Sequence, residues 1–99
     1  MSKFKLVKHQ VIRCLVEGSV LHEARDCIEI KNLLSTGAVS IEDVTELMKR
    51  SRGSEYEFSP HHMGQSIDVH VVKTIFKQES WYVKWYFIEP DAVFISVHK

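Results

Sequence analysis

Three runs in the last third of the chain alternate apolar and polar residues with the period of two that marks a half-buried strand. They span residues 67–76, 81–88 and 92–98, separated by Lys77-Gln78-Glu79-Ser80 and by Glu89-Pro90-Asp91. This is the pattern of an antiparallel meander. Sorted by side, one face collects Ile67, Val69, Val71, Ile75, Trp81, Val83, Trp85, Phe87, Val93, Ile95 and Val97. The other collects Asp68, His70, Thr74, Tyr82, Lys84, Tyr86, Ser96 and His98. An apolar sheet face needs a cover, and the upstream chain must supply it.

Upstream, the period changes. Phe4, Val7, Val11, Ile12, Leu15 and Val16 recur at steps of three and four within residues 3–17, which predicts an amphipathic helix ended by Gly18. Ser19-Val20-Leu21 reads as a short extended connector. Residues 22–34 are ambiguous: Ala24, Cys27 and Ile28 suit a helical face, whereas Ile28 and Ile30 alternate like a strand. The helical reading is preferred. A turn at Ser35-Thr36-Gly37 leads to Ser40, which suits an N-cap, with Asp43 in the reciprocal capping-box position. Ile41, Val44, Leu47 and Met48 give this further helix its apolar stripe, and Gly53 ends it. Residues 54–59 alternate Tyr56 and Phe58 with acidic residues, as in a short strand, and residues 59–66 form a polar loop. The expected fold is α+β: two to three helices packed on one face of a three- to five-stranded antiparallel sheet, as one domain over all 99 residues.

Turn length then sets which polar residues meet. With Glu89-Pro90-Asp91 as a three-residue loop, Ile88 pairs with Ala92, Lys84 with Ser96 and Tyr82 with His98. Directly opposed residues have Cβ atoms about 5 Å apart. A phenol, an ammonium, a hydroxyl and an imidazole thus share one patch. A five-residue loop after Ile75 adds His70 opposite Tyr86.

Charge and composition narrow the chemistry. Net charge is zero, with 13 basic and 13 acidic residues, which argues against broad electrostatic binding to duplex nucleic acid but leaves room for a local basic site. Lys49-Arg50-Ser51-Arg52 is the one dense basic run. It reads most plainly as solvated complement to a helix C-terminus, and otherwise as phosphate contacts from Arg50 and Arg52. No stretch approaches the ~20 apolar residues of a membrane span, and no basic leader opens the chain, so a cytoplasmic protein with no membrane partner is expected. Cys14 and Cys27 have neither metal spacing nor a disulfide pattern, and both are expected as inert buried thiols. The six histidines are unusual. His61 and His62 are adjacent, so they point apart on an extended chain and chelate poorly. No metal or other cofactor is expected.

Metal-free cleavage of RNA needs few groups: a base for the 2′-hydroxyl, a cation for the phosphate and an acid for the leaving 5′-oxygen. An imidazole, titrating near ~6.5 when unperturbed, serves as either acid or base. His98 with His61 or His62 can fill those roles, Lys84 can bind the phosphate, and Tyr82 can donate a hydrogen bond or stack a base. Gln65, His70, Tyr86 and Ser96 are placed to contact the strand. Each has a plainer reading: the tyrosines as half-buried sheet residues, Lys84 as a solubility charge, His98 as a frayed end.

The order of elements resembles the MqsR (motility quorum-sensing regulator) family of mRNA interferase toxins, within the RelE-like fold group. The matching residues are Leu6, Ile12, Leu15-Val16 and Gly18-Ser19-Val20 in the first helix and its exit, and Ile41, Asp43 and Val44 opening the third. Further along they are Ile67-Asp68-Val69, Trp81-Tyr82-Val83-Lys84 and Val93-Phe94-Ile95-Ser96-Val97. The likeness spans nearly the whole chain in pattern and is sparse in identities. It implies a metal-independent endoribonuclease toxin of a toxin–antitoxin system, acting on single-stranded mRNA alone or on the ribosome, and silenced by a cognate antitoxin protein. It places the family's active-site tyrosine at Tyr82, the lysine two residues later at Lys84 and the C-terminal active-site lysine at His98. The family's strand glutamine falls at or near Ile67, with Gln65 the nearest substitute, and a further lysine falls near Phe58. These departures favour an alternative on the same fold: a non-catalytic protein-binding inhibitor or regulator, for example from a phage or mobile element.

Overall fold

The computed structural model describes residues 3–24, 26–61 and 64–99, with backbone alone for 61 and 64–66. Its architecture is α+β. Helix α1 (Lys3–Glu17) leads to strand β1 (Val20–His22), the short helix α2 (Ile28–Lys31) and helix α3 (Ile41–Arg50). Strands β2 (Tyr56–His61), β3 (Gly64–Phe76), β4 (Glu79–Ile88) and β5 (Asp91–His98) follow. The five strands form one sheet in the order β1-β5-β4-β3-β2, antiparallel throughout except that β1 runs parallel to β5.

The core forms where three apolar surfaces meet. Val7, Val11, Cys14 and Leu15 from α1 and Val44, Leu47 and Met48 from α3 pack on Val72, Val83, Trp85, Phe94 and Val97 of the sheet. Helix α1 stops at Gly18, whose φ of 78° is open to glycine at no steric cost. Helix α3 starts as its sequence dictates, the Ser40 hydroxyl accepting from the Asp43 N–H at 3.0 Å. Its far end is closed by Lys8, whose ammonium donates to the carbonyls of Lys49 and Ser51 at 2.7 and 3.0 Å. Replacing Ser40 with alanine removes the cap, and a loss of about 1 kcal/mol in urea-unfolding stability is expected.

Three expectations outside the meander need correction. Only Ile28–Lys31 of residues 22–34 is helical. The segment is needed elsewhere: Leu33 donates its N–H to the Val97 carbonyl at 2.7 Å, and Asn32 bridges Val97, so the outer edge of β5 is satisfied beyond the end of β1. Without that longer helix there is no face to bury Cys27, which is exposed, while Cys14 is buried as expected. The extended connector at Val20 is as expected, and it pairs with β5 as a strand. Finally, β2 and β3 extend into the expected polar loop and pair as a hairpin.

The largest correction concerns which side of β3 faces the helices. The β3–β4 turn is only two residues, Lys77 and Gln78, both with positive φ (52° and 67°), the mirror-image turn that matches strand twist. Phe76 therefore pairs with Glu79 and Thr74 with Trp81. The column Trp81, Val83, Trp85 carries the bulk of the β4 surface and faces the core. It takes Thr74, Val72 and His70 with it and turns Val69, Val71 and Ile75 to the opposite face. The strand's own alternation favoured the reverse. The two polar residues drawn inward find partners: Thr74 donates to Glu55 at 3.0 Å, and His70 Nδ1 lies 2.8 Å from the Tyr56 hydroxyl.

On β5 the outcome is divided. Its turn with β4 is Glu89-Pro90, one residue shorter than expected, so Ile88 pairs with Asp91 and Trp85 with Phe94. A bulge at Ile95 then restores one residue, and from there Lys84 pairs with Ser96 and Tyr82 with His98 as expected. Above the bulge, Ala92 and Phe94 face the core in place of Val93 and Ile95; below it, Val97 faces the core as expected.

Among the described residues, no helix is long and apolar enough to cross a membrane.

Candidate functional site on the open sheet face

The side of the sheet away from the core cluster is here called the open face. Strand register arranges it in rows. Lys73, Tyr82 and His98 make one row across β3, β4 and β5, and Val71, Lys84 and Ser96 make the next. Past the bulge come Tyr86, Val93 and, on β1, Leu21. Trp81, Val83 and Trp85, locked in the core, fix the intervening tyrosines and lysine to this face, since a one-residue slip would exchange the two sets.

The first row has the densest chemistry. The Tyr82 and His98 rings stack, with centroids 5.2 Å apart and planes 18° from parallel. His98 Nδ1 lies 3.0 Å from the Lys99 main-chain oxygen. That oxygen can only accept, so Nδ1 carries the proton and, in the neutral ring, Nε2 keeps its lone pair. The Lys73 ammonium lies 5.9 Å from the centre of the Tyr82 ring and pairs with Glu57 at 3.3 Å. Lys84, half-buried, stands one row away. Ser96 beside it is 3% exposed. Tyr86 is half-buried, and burial first, then a hydrogen bond to Glu23, pushes its pKa up to about 12.

Five of the residues singled out from sequence, Tyr82, Lys84, Tyr86, Ser96 and His98, are thus brought together. Lys73 joins them and was missed, because its place beside Tyr82 depends on a two-residue turn whose Lys77-Gln78 carries no glycine or asparagine signal. His70 does not belong to the site. It is 4% exposed on the core side, between Tyr56, Trp85 and Phe87. Arg50 lies against Phe76 at 5.8 Å, on the helix side. Arg52 is exposed at the start of the 3₁₀ turn Gly53–Glu55, where its main-chain N–H donates to Glu55 at 2.8 Å, and it stands outside the rows of the open face. His62 lies outside the described residues, as do the side chains of His61 and Gln65. Phe58, where the resemblance calls for lysine, also faces the helix side, with the Lys3 ammonium 3.6 Å from its ring centre.

His70 has a role in stability. Burial drives its pKa from 6.5 down to about 4, outweighing the nearby Asp68 carboxylate, so the folded protein holds it neutral. Between pH 6.5 and 4 the unfolded chain binds a proton that the folded chain refuses. Stability from this group is therefore complete above pH 6.5 and is lost as pH falls toward 4. The full shift corresponds to ~3 kcal/mol, and water at the rim of the cluster brings the expected contribution to roughly 2 kcal/mol. His22, also lowered by desolvation, adds to the same slope. The difference between wild type and His70→Gln in urea unfolding from pH 4.5 to 7 isolates the His70 share. Parallel pH profiles for the two proteins would refute the assignment.

Cavities of about 270, 340 and 460 Å³ lie elsewhere, at the rim near Phe76 and Trp81 and along α1 and α3. Their linings contain none of the Tyr82–Lys84–His98 group. The open face is a platform of two tyrosines with cations between and beside them. That shape suits an extended strand with stackable bases better than an enclosed small molecule. No protein-family model and no curated protein sequence matches this chain.

Proposed function

We propose that the open face binds single-stranded RNA and cleaves it without a metal, as an mRNA endoribonuclease toxin does. The observation that carries this reading is the stacked Tyr82–His98 pair with Lys84 one row away and Lys73 alongside. The resemblance to the MqsR family points the same way. In the proposed reaction, His98 Nε2 takes the proton of a 2′-hydroxyl as its oxygen bonds to the adjacent phosphorus. Lys84, aided by Lys73, stabilises the charge on the crowded phosphoryl oxygens. The bond from phosphorus to the 5′-oxygen breaks, and that oxygen takes a proton from the Tyr82 hydroxyl, which is replenished from solvent. The products are a 2′,3′-cyclic phosphate and a free 5′-hydroxyl.

A second reading, a non-catalytic protein-binding regulator, is favoured by Ile75 and Leu21, which are 69% and 49% exposed on this same face. Incubation with single-stranded RNA in EDTA, with and without ribosomes, separates the two. Cleavage leaving a cyclic phosphate is expected. Intact RNA under both conditions would overturn the ribonuclease reading in favour of the regulator.

A further inference from the structure

Beyond the proposed reacting centre, the open face holds a second aromatic ring and a carboxylate. Tyr86 stands on the same side of β4 as Tyr82, roughly 13 Å further along at the usual rise per residue, with Lys84 between them. Its partner across the strands is Val93, which in turn pairs with Leu21 of β1. Glu23 follows β1, and its N–H donates to the Phe94 carbonyl at 2.9 Å, which fixes it beside β5. Alternation from Leu21 puts Glu23 on the open face too. There its carboxylate accepts the hydrogen bond of the Tyr86 hydroxyl.

We propose that Tyr86 and Glu23 form a base-reading subsite for guanine, which rests on the RNA reading of this face. The base stacks on the Tyr86 ring, and its Watson–Crick edge pairs with the Glu23 carboxylate. An ionised carboxylate only accepts, and its two oxygens offer about four lone-pair directions, of which the Tyr86 hydroxyl uses one. Guanine presents two neighbouring donors, N1–H and the N2 amino group, which match two oxygens side by side. Adenine, cytosine and uracil each set an acceptor next to their donor, and that acceptor meets a carboxylate oxygen unfavourably. The hydrogen bond from Tyr86 holds the carboxylate at the rim of the ring on which the base lies, so stacking and edge reading act on one nucleotide. Lys84, between the two tyrosines, is placed for a phosphate linking this nucleotide to the reacting one.

The test is the affinity of the whole protein for uncleavable 2′-O-methyl hexanucleotides. The probes are oligouridine and oligouridine carrying one guanine, adenine or cytosine, read by fluorescence anisotropy. Guanine is expected to tighten binding on the order of ten-fold, the discrimination of one good bidentate base contact. Glu23→Gln retains a carbonyl to accept from Tyr86 yet replaces one acceptor with a donor. It is expected to bring the ratio near unity at an unchanged unfolding midpoint. Tyr86→Phe, which keeps the ring and frees the carboxylate, is expected to shrink the ratio while binding persists. Equal affinity of the wild type for all probes, or a guanine preference that survives in both variants, overturns the subsite alone. No binding of any probe overturns the RNA reading of the face and the subsite with it.

Discussion

Replacing His98 with alanine is expected to lower RNA cleavage roughly 10²–10⁴-fold, the usual contribution of one positioned acid or base. His98 is the one imidazole in the described part of the open face. Its Nδ1 is tied to the Lys99 main-chain oxygen, which leaves Nε2 to take a proton. The fold should survive the change. His98 is half-buried at the end of β5, where it makes the Lys99 hydrogen bond and the stack on Tyr82, the latter worth about 0.5–1.5 kcal/mol. A thermal melt of the variant therefore belongs beside the assay. Partial recovery of cleavage on adding free imidazole would mark a lost base and not a lost structure. A His98→Ala protein that cleaves at the wild-type rate would remove this residue from the mechanism.

Aspartate at position 72 is expected to unfold the protein, whereas aspartate at position 71 should cost clearly less. Val72 is fully buried among Val83, Tyr56 and the helices, and an unpaired carboxylate there costs roughly 3–5 kcal/mol. That is a large share of the 5–15 kcal/mol that holds a domain of ordinary stability together. Val71 is 7% exposed but lies on the open face between Lys84 and Glu57. An aspartate there meets a cation on one side and a like charge on the other and can turn toward water, for a smaller cost of about 2 kcal/mol. Urea unfolding of the two variants tests the register directly, because alternation within residues 67–76 taken alone ranks them the other way.

That pair of variants marks where the sequence was ambiguous. Residues 67–76 have apolar side chains in both phases: Ile67, Val69, Val71 and Ile75 in one, Val72 and Phe76 in the other. Counting favours the first, but the hairpin decides. Lys77-Gln78 forms a tight turn without the glycine or asparagine that normally announces one, and the two tryptophans of β4 then draw the second phase inward. The site on β4 was legible for a related reason. Tyr82, Lys84 and Tyr86 alternate with Trp81, Val83 and Trp85 so cleanly that only one face could be buried. The pairing of Tyr82 with His98 was reached through two opposite departures: a turn one residue shorter than expected and a bulge that returned the missing residue. Helix α3 was readable from its cap and stripe because those signals are local. Residues 22–34 were not, since what orders them is the unpaired edge of β5, a demand made by residues more than 60 positions away.

The open face stands or falls on where a single strand of RNA lies. The most direct measurement is amide chemical-shift mapping with an uncleavable 2′-O-methyl hexanucleotide on the isotope-labelled protein. The largest shifts are expected at Val71, Lys73, Tyr82, Lys84, Ser96 and His98, with little change at Ile12, Val16, Ile41 and Lys49 on the outer side of the helices. Shifts confined to α1 and α3, or none at saturating oligonucleotide, would contradict an RNA site on the open face.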